Sequence, residues 1–432
     1  MKKLRIKSAK AVRGSVQVPP DKSISHRAAI FAAMANGESE IRNYLFGEDC
    51  LSTLNALKSL GAIIRRRGKN VYITGGKLKS PARDVYCGNS GTTMRLLCGM
   101  IAGMNMSAKL VGDRSLSKRP MERITSPLTA MGARIKSRRG FPPLFVRGSS
   151  DLRAIKYIMP IASAQVKTSI MLAALNASGE TMLKEKIPSR DHTARMLPFF
   201  GARFKKKGDF LAIEGGGKLK PAKISVPGDF SSAAFFITAA VMLQSVLTIK
   251  NVGLNPTRTG FLKALGKMGL KYRIKNRRYS YGEPSGDITV LKSVLRGMDF
   301  SADDIPAMID EVPLLALVAT KARGISLITG AEELRVKECD RIEGVFSQLK
   351  KMGADIEKLP GGFRIKGPTP LRGASVTGFG DHRIVMMLSL AALAVRSATG
   401  VTVIDDVSCV KISFPGFFRT LKKILVGKWG RP

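Results

Sequence analysis

Acidic residues are scarce in this chain of 432: 32 Asp and Glu stand against 72 Lys and Arg, a formal net charge of +40. Aromatics make up 6%, with a single Trp, so small aliphatic residues must fill much of the core. The three histidines (His26, His192, His382) lie far apart in sequence. The five cysteines (Cys50, Cys87, Cys98, Cys339, Cys409) are an odd, scattered set with no CxxC pair. That pattern argues against a zinc module or a disulfide scaffold and for a reducing compartment, so a cytoplasmic location without a bound metal is expected. Long apolar runs are missing too. The most apolar stretch, 230–249, is interrupted by Ser231, Ser232, Thr238, Gln244 and Ser245, which predicts a buried helix followed by a strand and no membrane span. The basic start MKKLRIKSAK leads into no apolar segment, so no signal peptide is expected. The 44% of hydrophobic residues excludes a mainly disordered basic tail.

One pattern recurs six times. A short polar cluster leads into about a dozen small apolar residues, at a period of about 70 residues, longer than common helical solenoid repeats. The copies are DKSISHRAAIFAAMANG from Asp21, GNSGTTMRLLCGMIAG from Gly88, SAQVKTSIMLAALNASG from Ser163, GDFSSAAFFITAAVML from Gly228, DEVPLLALVATKARG from Asp310 and GDHRIVMMLSLAALAV from Gly380. Helices apolar on nearly every side and rich in Ala and Ser belong inside a closely packed core. A second, amphipathic helix follows in each unit. Leu51, Leu54, Leu57 and Leu60 make one stripe, and Ile342, Val345, Leu349 and Met352 another. Five of these helices end in LGA, MGA, FGA, MGL and MGA, where Gly suits a left-handed cap. Hairpins with basic turns, such as AIIRRRGKNVYITGG, come next. Each unit reads β-α-β-α-β-β.

The sixth unit lacks its hairpin, and the first nineteen residues look like a hairpin without a helix. The simple resolution is that the N-terminus completes the last unit. Residues 1–19 and 229–432 then form one domain, and 20–228 form a second one inserted into it. Three related units should set their buried helices side by side, with their N-termini at one end. Unpaired N–H groups and aligned peptide dipoles make such an end attractive to anions. The plainer reading, that Ser, Asn and Asp merely cap helices, explains less well why Lys22, Arg27 and Arg383 accompany them. Two such ends facing each other would enclose a multiply charged small molecule.

At these residues the sequence resembles the 3-phosphoshikimate 1-carboxyvinyltransferase family, also called 5-enolpyruvylshikimate-3-phosphate synthase. The segments are DKSISHR (21–27), GNSGTTMR (88–95), KRPM (118–121), SAQVK (163–167), SRDHT (189–193), PGDFSSAAFF (227–236), IDE (309–311), LRVKECDRI (334–342), GDHR (380–383) and SFPGFF (413–418). They run in family order across nearly the whole chain. The resemblance implies an α/β fold of two similar domains, each of three βαβαββ units around buried parallel helices, joined by a two-strand hinge. It implies transfer of the enolpyruvyl group of phosphoenolpyruvate to the 5-hydroxyl of shikimate 3-phosphate by addition and elimination, with release of phosphate. No metal or organic cofactor is implied.

By the same resemblance Lys22, Ser23, Arg27, Ser163, Gln165, Arg190, Asp310 and Lys337 hold shikimate 3-phosphate. Lys22, Asn89, Gly91, Arg119, Gln165, Arg341 and Arg383 hold phosphoenolpyruvate. Asp310 is the candidate base, Glu338 the candidate acid, and Lys22 the cation serving both substrates. These residue types suit the chemistry. Two phosphates and a carboxylate repel unless cations neutralise them, and the planar fork of Arg binds oxyanions at two points. Gly91 lets backbone approach a substrate closely, and it matches relatives sensitive to glyphosate. Two carboxyl groups can share proton removal and delivery when their surroundings separate their pKa values.

Other readings stay open on the residues alone. Asp310 and Glu311 read equally as caps, the 337–341 charges as a self-paired helix face, and Asp381 as a cap. Cys339 replaces a usual serine and reads as packing or a weak donor. Pro20 replaces a usual Gly, Ala194 a frequent Glu, and Lys411 is a weak further candidate for phosphoenolpyruvate. A related enolpyruvyl transferase acting on a UDP-sugar would need a reactive loop cysteine, and SKRPMERI favours the shikimate enzyme. The surplus charge sits largely in hairpin turns. Nucleic acid is expected to bind only nonspecifically, and a monomer is expected.

Overall fold

The computed structural model describes residues 3–395 and 400–426. The chain is mixed α/β and divides into two compact units. One comprises Pro20–Val226 and Tyr279–Glu283; the other comprises Met1–Pro19, Pro227–Arg278 and Pro284–Pro432.

In the unit built on Pro20–Val226, three helices form the centre: α1 (Lys22–Met34), α2 (Gly91–Ala102) and α3 (Ala164–Ala174). Each starts at a side-chain cap. Asp21 accepts from the Ile24 amide at 2.8 Å, Ser90 from Thr93 at 3.1 Å and Ser163 from Val166 at 3.4 Å. These oxygens satisfy amides that no helical turn reaches. Small residues let the helices approach closely. A Cβ on Gly99 would sit 2.2 Å from the carbonyl oxygen of Ser169, so any larger residue at 99 would push α2 away from α3.

Sheets cover these helices. One is formed by β1 (Val85–Tyr86), β2 (Ser107–Val111), β3 (Arg134–Arg138) and β4 (Phe141–Arg147), in the order β1-β2-β4-β3. β1 lies parallel to β2, and the other pairs are antiparallel. The sheet of the first repeat is closed by Lys223–Ser225, which lies parallel to Gly37–Arg42. The end of the inserted segment thereby returns to its beginning.

The second unit repeats the plan with α4 (Phe230–Met242), α5 (Val312–Ala319) and α6 (His382–Leu393). Every residue of α4 is buried, as its apolar circumference predicts, and Leu247–Gly253 follows as a strand. Phe235, Phe236, Phe414 and Phe417 pack edge to face or tilted beside it.

All five predicted C-cap glycines are left-handed: Gly61 (φ 102°), Gly132 (104°), Gly201 (80°), Gly269 (103°) and Gly353 (89°). Two expectations need correction. Leu51 is 37% exposed, although Leu54, Leu57 and Leu60 are buried. The stripe therefore starts one turn later, because Leu51 lies in the first turn of the helix Glu48–Ser59. The first nineteen residues are not a hairpin. Leu4–Lys7 pairs antiparallel with Val401–Ile404, while Ser15–Gln17 lies parallel to Leu247–Gly253. Each strand supplies partners for a different sheet edge, which would otherwise leave backbone groups unpaired. The last helix, Phe417–Ile424, also continues into Leu425–Val426, which pairs with Ala11–Val12. Residues 427–432 lie outside the described residues.

Candidate active site

In the first unit the opening turns of all three central helices touch one another. Arg27, on α1, is almost fully buried. Its Nε donates to Thr193 Oγ1 at 2.9 Å, its Nη1 to the Ser23 carbonyl at 3.0 Å and its Nη2 to Thr168 Oγ1 of α3 at 3.0 Å. Gln165, also on α3, spans to α2: its Nε2 donates to Thr92 Oγ1 at 2.9 Å, and its Oε1 accepts from Arg95 Nη1 at 2.6 Å. Helix N-termini held together in this way add their partial positive charges. Ser23, Arg27, Ser163 and Gln165 therefore share one end of the unit, though the hydroxyl of Ser163 is engaged in capping.

Beside them, Arg119 Nη2 donates to Asn89 Oδ1 at 2.6 Å, and the Asn89 amide donates to Asp113 Oδ2 at 2.7 Å. This chain orients the amide and the guanidinium. Gly91 begins α2 between two guanidinium groups. A Cβ there would lie 3.1 Å from Arg95 Nη1 and 3.4 Å from Arg119 Nη1. Lys22 Nζ is 3.0 Å from Asp49 Oδ2. Arg190 sits in the loop between Glu180–Glu185 and His192–Met196. That loop is tied down by Lys167, whose Nζ is 2.6 Å from Glu185 Oε2 and 3.0 Å from the Ser189 carbonyl. Burial lowers the Lys167 pKa, and the charge of Glu185 works against that shift.

Asp49, Arg95 and Lys167 are the residues that motif reading overlooked. Arg95 and Lys167 lie inside GNSGTTMR and SAQVK, so their positions were visible and their partners were not. His26 is fully buried, with Nδ1 2.6 Å from Thr53 Oγ1, which in turn lies 2.6 Å from Thr93 Oγ1. Loss of hydration pushes its pKa down to about 3, so the ring is neutral and structural. His192 Nδ1 meets Glu283 Oε1 at 2.8 Å, also in the interior.

The second unit carries the other candidates, around Arg341. Its guanidinium is buried and touches three carboxylates: Asp381 Oδ2 from Nε at 2.7 Å, Glu338 Oε2 from Nη2 at 2.5 Å and Asp310 Oδ1 from Nη1 at 3.5 Å. Burial works against its charge, and Asp381, Glu338 and Asp310 more than offset that, holding it protonated. Nη1 is buried and makes no hydrogen bond among the described residues. Arg383, on α6, approaches Asp310 Oδ2 at 3.5 Å with Nη2 and donates from Nη1 to the Asp310 carbonyl at 3.1 Å.

Asp381 caps α6 through the Arg383 amide at 2.8 Å, so the plainer reading of it holds while it also anchors Arg341. Glu311 stands at the start of α5 without a capping hydrogen bond; its Oε1 accepts from Ser231 Oγ instead. Lys337 pairs with Glu333 at 3.1 Å, but 337–340 precede the helix Arg341–Lys351 and Arg341 is buried, so the 337–341 charges are not a solvated, self-paired helix face. Cys339 Sγ lies 3.7 Å from Asp381 Oδ2 as a weak donor. Burial, with Asp381 beside it, pushes the thiol up, away from nucleophilic reactivity. Lys411 lies in the short turn Ser408–Ile412. This end is not purely cationic: Asp310, Glu311, Glu338 and Asp381 outnumber Arg341 and Arg383. It suits proton transfer beside an anion, whereas the first unit offers mainly cations and amides.

The EPSP synthase (3-phosphoshikimate 1-carboxyvinyltransferase) family profile matches residues 6–421. The 3-phosphoshikimate 1-carboxyvinyltransferase of Geobacillus kaustophilus is 48% identical over 423 residues, covering 96% of this chain and 98% of the relative. That of Bacillus pumilus is 45% identical over 426 residues, covering 97% and 99%. The solved EPSP synthase of Acinetobacter baumannii superposes with a TM-score of 0.87 at 41% identity, covering 98% of both chains. Among the described residues no helix is long and apolar enough to cross a membrane.

Proposed function

The chain belongs to the EPSP synthase (3-phosphoshikimate 1-carboxyvinyltransferase) family, and from that premise we propose how its own residues carry the reaction. The enolpyruvyl group of phosphoenolpyruvate is transferred to the 5-hydroxyl of shikimate 3-phosphate and inorganic phosphate leaves. In the addition step the 5-hydroxyl gives its proton to Asp310 as its oxygen bonds C2 of phosphoenolpyruvate. Glu338 delivers a proton to the methylene carbon, which becomes a methyl group. In the elimination step Glu338, now a carboxylate, takes a proton back from the methyl group, the double bond re-forms, the C2–O bond to phosphate breaks with its electron pair on the leaving oxygen, and that phosphate takes up the proton held by Asp310.

The observation that carries this reading is the sharing of Arg341 by Asp310 and Glu338, at 3.5 and 2.5 Å. One guanidinium thereby holds two carboxyl groups at a single centre. Residues that exchange protons with a reacting group must lie within hydrogen-bond reach of it. Arg341, Arg383, Arg119, Asn89, Gln165 and the open backbone at Gly91 hold phosphoenolpyruvate. Ser23, Arg27, Ser163, Gln165, Arg190, Asp310 and Lys337 hold shikimate 3-phosphate. Lys22 contacts both substrates and stabilises charge that grows in the transition state. Substrate phosphate must compete with Asp49 for Lys22, and the Asp49 ion pair keeps that ammonium placed until then.

The test is phosphate release from phosphoenolpyruvate, assayed with shikimate 3-phosphate and, separately, with a UDP-sugar acceptor. Release that depends on shikimate 3-phosphate alone is expected; release that depends on the UDP-sugar would overturn the assignment.

A further inference from the structure

The outer face of the β1-β2-β4-β3 sheet differs from its sister sheets in a way that enolpyruvyl transfer does not use. Successive strand residues point to opposite faces. Leu144 and Val146 of β4 face the core, while Phe145 and Arg147 are exposed. Phe145 lies opposite Lys109 on one side and Lys136 on the other; Arg147 lies opposite Arg134; and Tyr86 lies opposite Val111, next along β2 from Lys109 on the same face. Lys109 Nζ is 5.4 Å from the centroid of the Phe145 ring. Tyr86 and Phe145 remain 58% and 48% exposed.

The four strands contain no Asp or Glu. Lys109 pairs with Asp84, just outside them, at 2.7 Å. Among the described residues Arg134, Lys136 and Arg147 have no carboxylate partner. The sister sheets of the same unit act as internal controls. In one, Arg42 pairs with Glu40 at 3.1 Å and Arg65 with Glu38. In the other, Lys184 pairs with Asp209 at 2.8 Å and Lys207 with Glu180 at 2.5 Å. Among the described residues of this unit's three sheets, only the β1-β2-β4-β3 sheet sets exposed rings beside cations that lack a carboxylate partner.

We propose that this face binds single-stranded nucleic acid, with bases stacking on Tyr86 and Phe145 and phosphates lying against Lys136, Arg134, Arg147 and Lys109. Exposed aromatics on a pleated sheet offer every base a flat partner, and unpaired cations beside them neutralise the backbone. A lipid surface would call for an amphipathic element with an inserting apolar face; here the rings lie among cations on a pleated strand.

The test is anisotropy of a fluorescein-labelled oligodeoxythymidine of about twenty nucleotides, titrated with the full chain at several salt concentrations, beside a duplex, an acidic peptide and anionic vesicles. The Tyr86→Ala/Phe145→Ala pair is expected to weaken single-strand binding about tenfold or more, the scale of one lost base stack, with the salt slope unchanged. Lys136→Glu/Arg147→Glu is expected to weaken binding and to reduce the slope by about 0.7 per cation. Lys205→Glu/Lys207→Glu, on a sister sheet, is expected to matter far less. Phosphate release should stay unchanged in all three and reports folding; Phe145→Leu keeps bulk without the ring face if the double variant fails to fold. Binding that ignores the aromatic variants, falls equally with the sister-sheet pair, or favours duplex, peptide or vesicle would overturn the proposal.

Discussion

Arg341 Nε lies 2.7 Å from Asp381 Oδ2, with side-chain exposures of only 2% and 0%. The pair joins the start of the helix Arg341–Lys351 to the cap of α6, so a single ion pair holds both Arg341 and Arg383 where the candidate acid and base need them. Breaking a buried pair leaves a charge without compensation. Asp381→Asn keeps a capping oxygen but loses the charge, and the expected loss is about 3 kcal/mol of unfolding free energy. Urea denaturation measures it; a loss below about 1 kcal/mol would mean that Glu338 and Asp310 alone satisfy Arg341.

Gly91→Ala places a methyl group 3.1 Å from Arg95 Nη1 and 3.4 Å from Arg119 Nη1. Both guanidinium groups are flexible ends and can give way, so folding survives while the anion pocket narrows. The KM for phosphoenolpyruvate should rise and competitive inhibition by glyphosate should weaken by a larger factor, with kcat changed least. An unaltered glyphosate inhibition constant would remove Gly91 from the site.

His26 carries the clearest pH dependence. Its folded pKa, near 3, lies below the usual 6.5. Below about pH 6.5 the unfolded chain takes up a proton that the folded chain refuses until about pH 3, so stability falls by up to about 1.4 kcal/mol per pH unit across that window and is complete above it. His26→Asn keeps a partner for Thr53 and removes this titration. Its urea midpoint should fall less steeply than wild type between about pH 6.5 and 4; parallel curves would contradict the burial argument.

Lys167 reaches both Glu185 and the Ser189 carbonyl, next to Arg190. Lys167→Met should loosen that loop and raise the KM for shikimate 3-phosphate several-fold, leaving the KM for phosphoenolpyruvate near wild type. Equal changes in both would place the effect on the whole unit.

The sequence was most legible where a local rule sufficed. Polar clusters before small apolar runs mark the six central helices, five of them with side-chain caps, and Gly at the end of five amphipathic helices marks their left-handed caps. Partners distant in sequence were not legible. Asp49 meets Lys22 across 27 positions, and Arg95 meets Gln165 across 70; no periodicity encodes either pairing. The N-terminal strands look like a hairpin because alternation shows which face is buried and not which strand lies alongside. Much of the +40 charge reads in the sequence as hairpin turns, whereas runs such as Arg65–Arg67 and Lys205–Lys207 lie in strands, and only strand register separates cations paired with carboxylates from the unpaired ones around Phe145.

Steady-state phosphate release by Asp310→Asn tests the proton-transfer account most directly. Removing the base while keeping the side chain's size should lower kcat by about two to four orders of magnitude, with each KM within a few-fold of wild type. A kcat within threefold of wild type would show that the 5-hydroxyl proton leaves by another route.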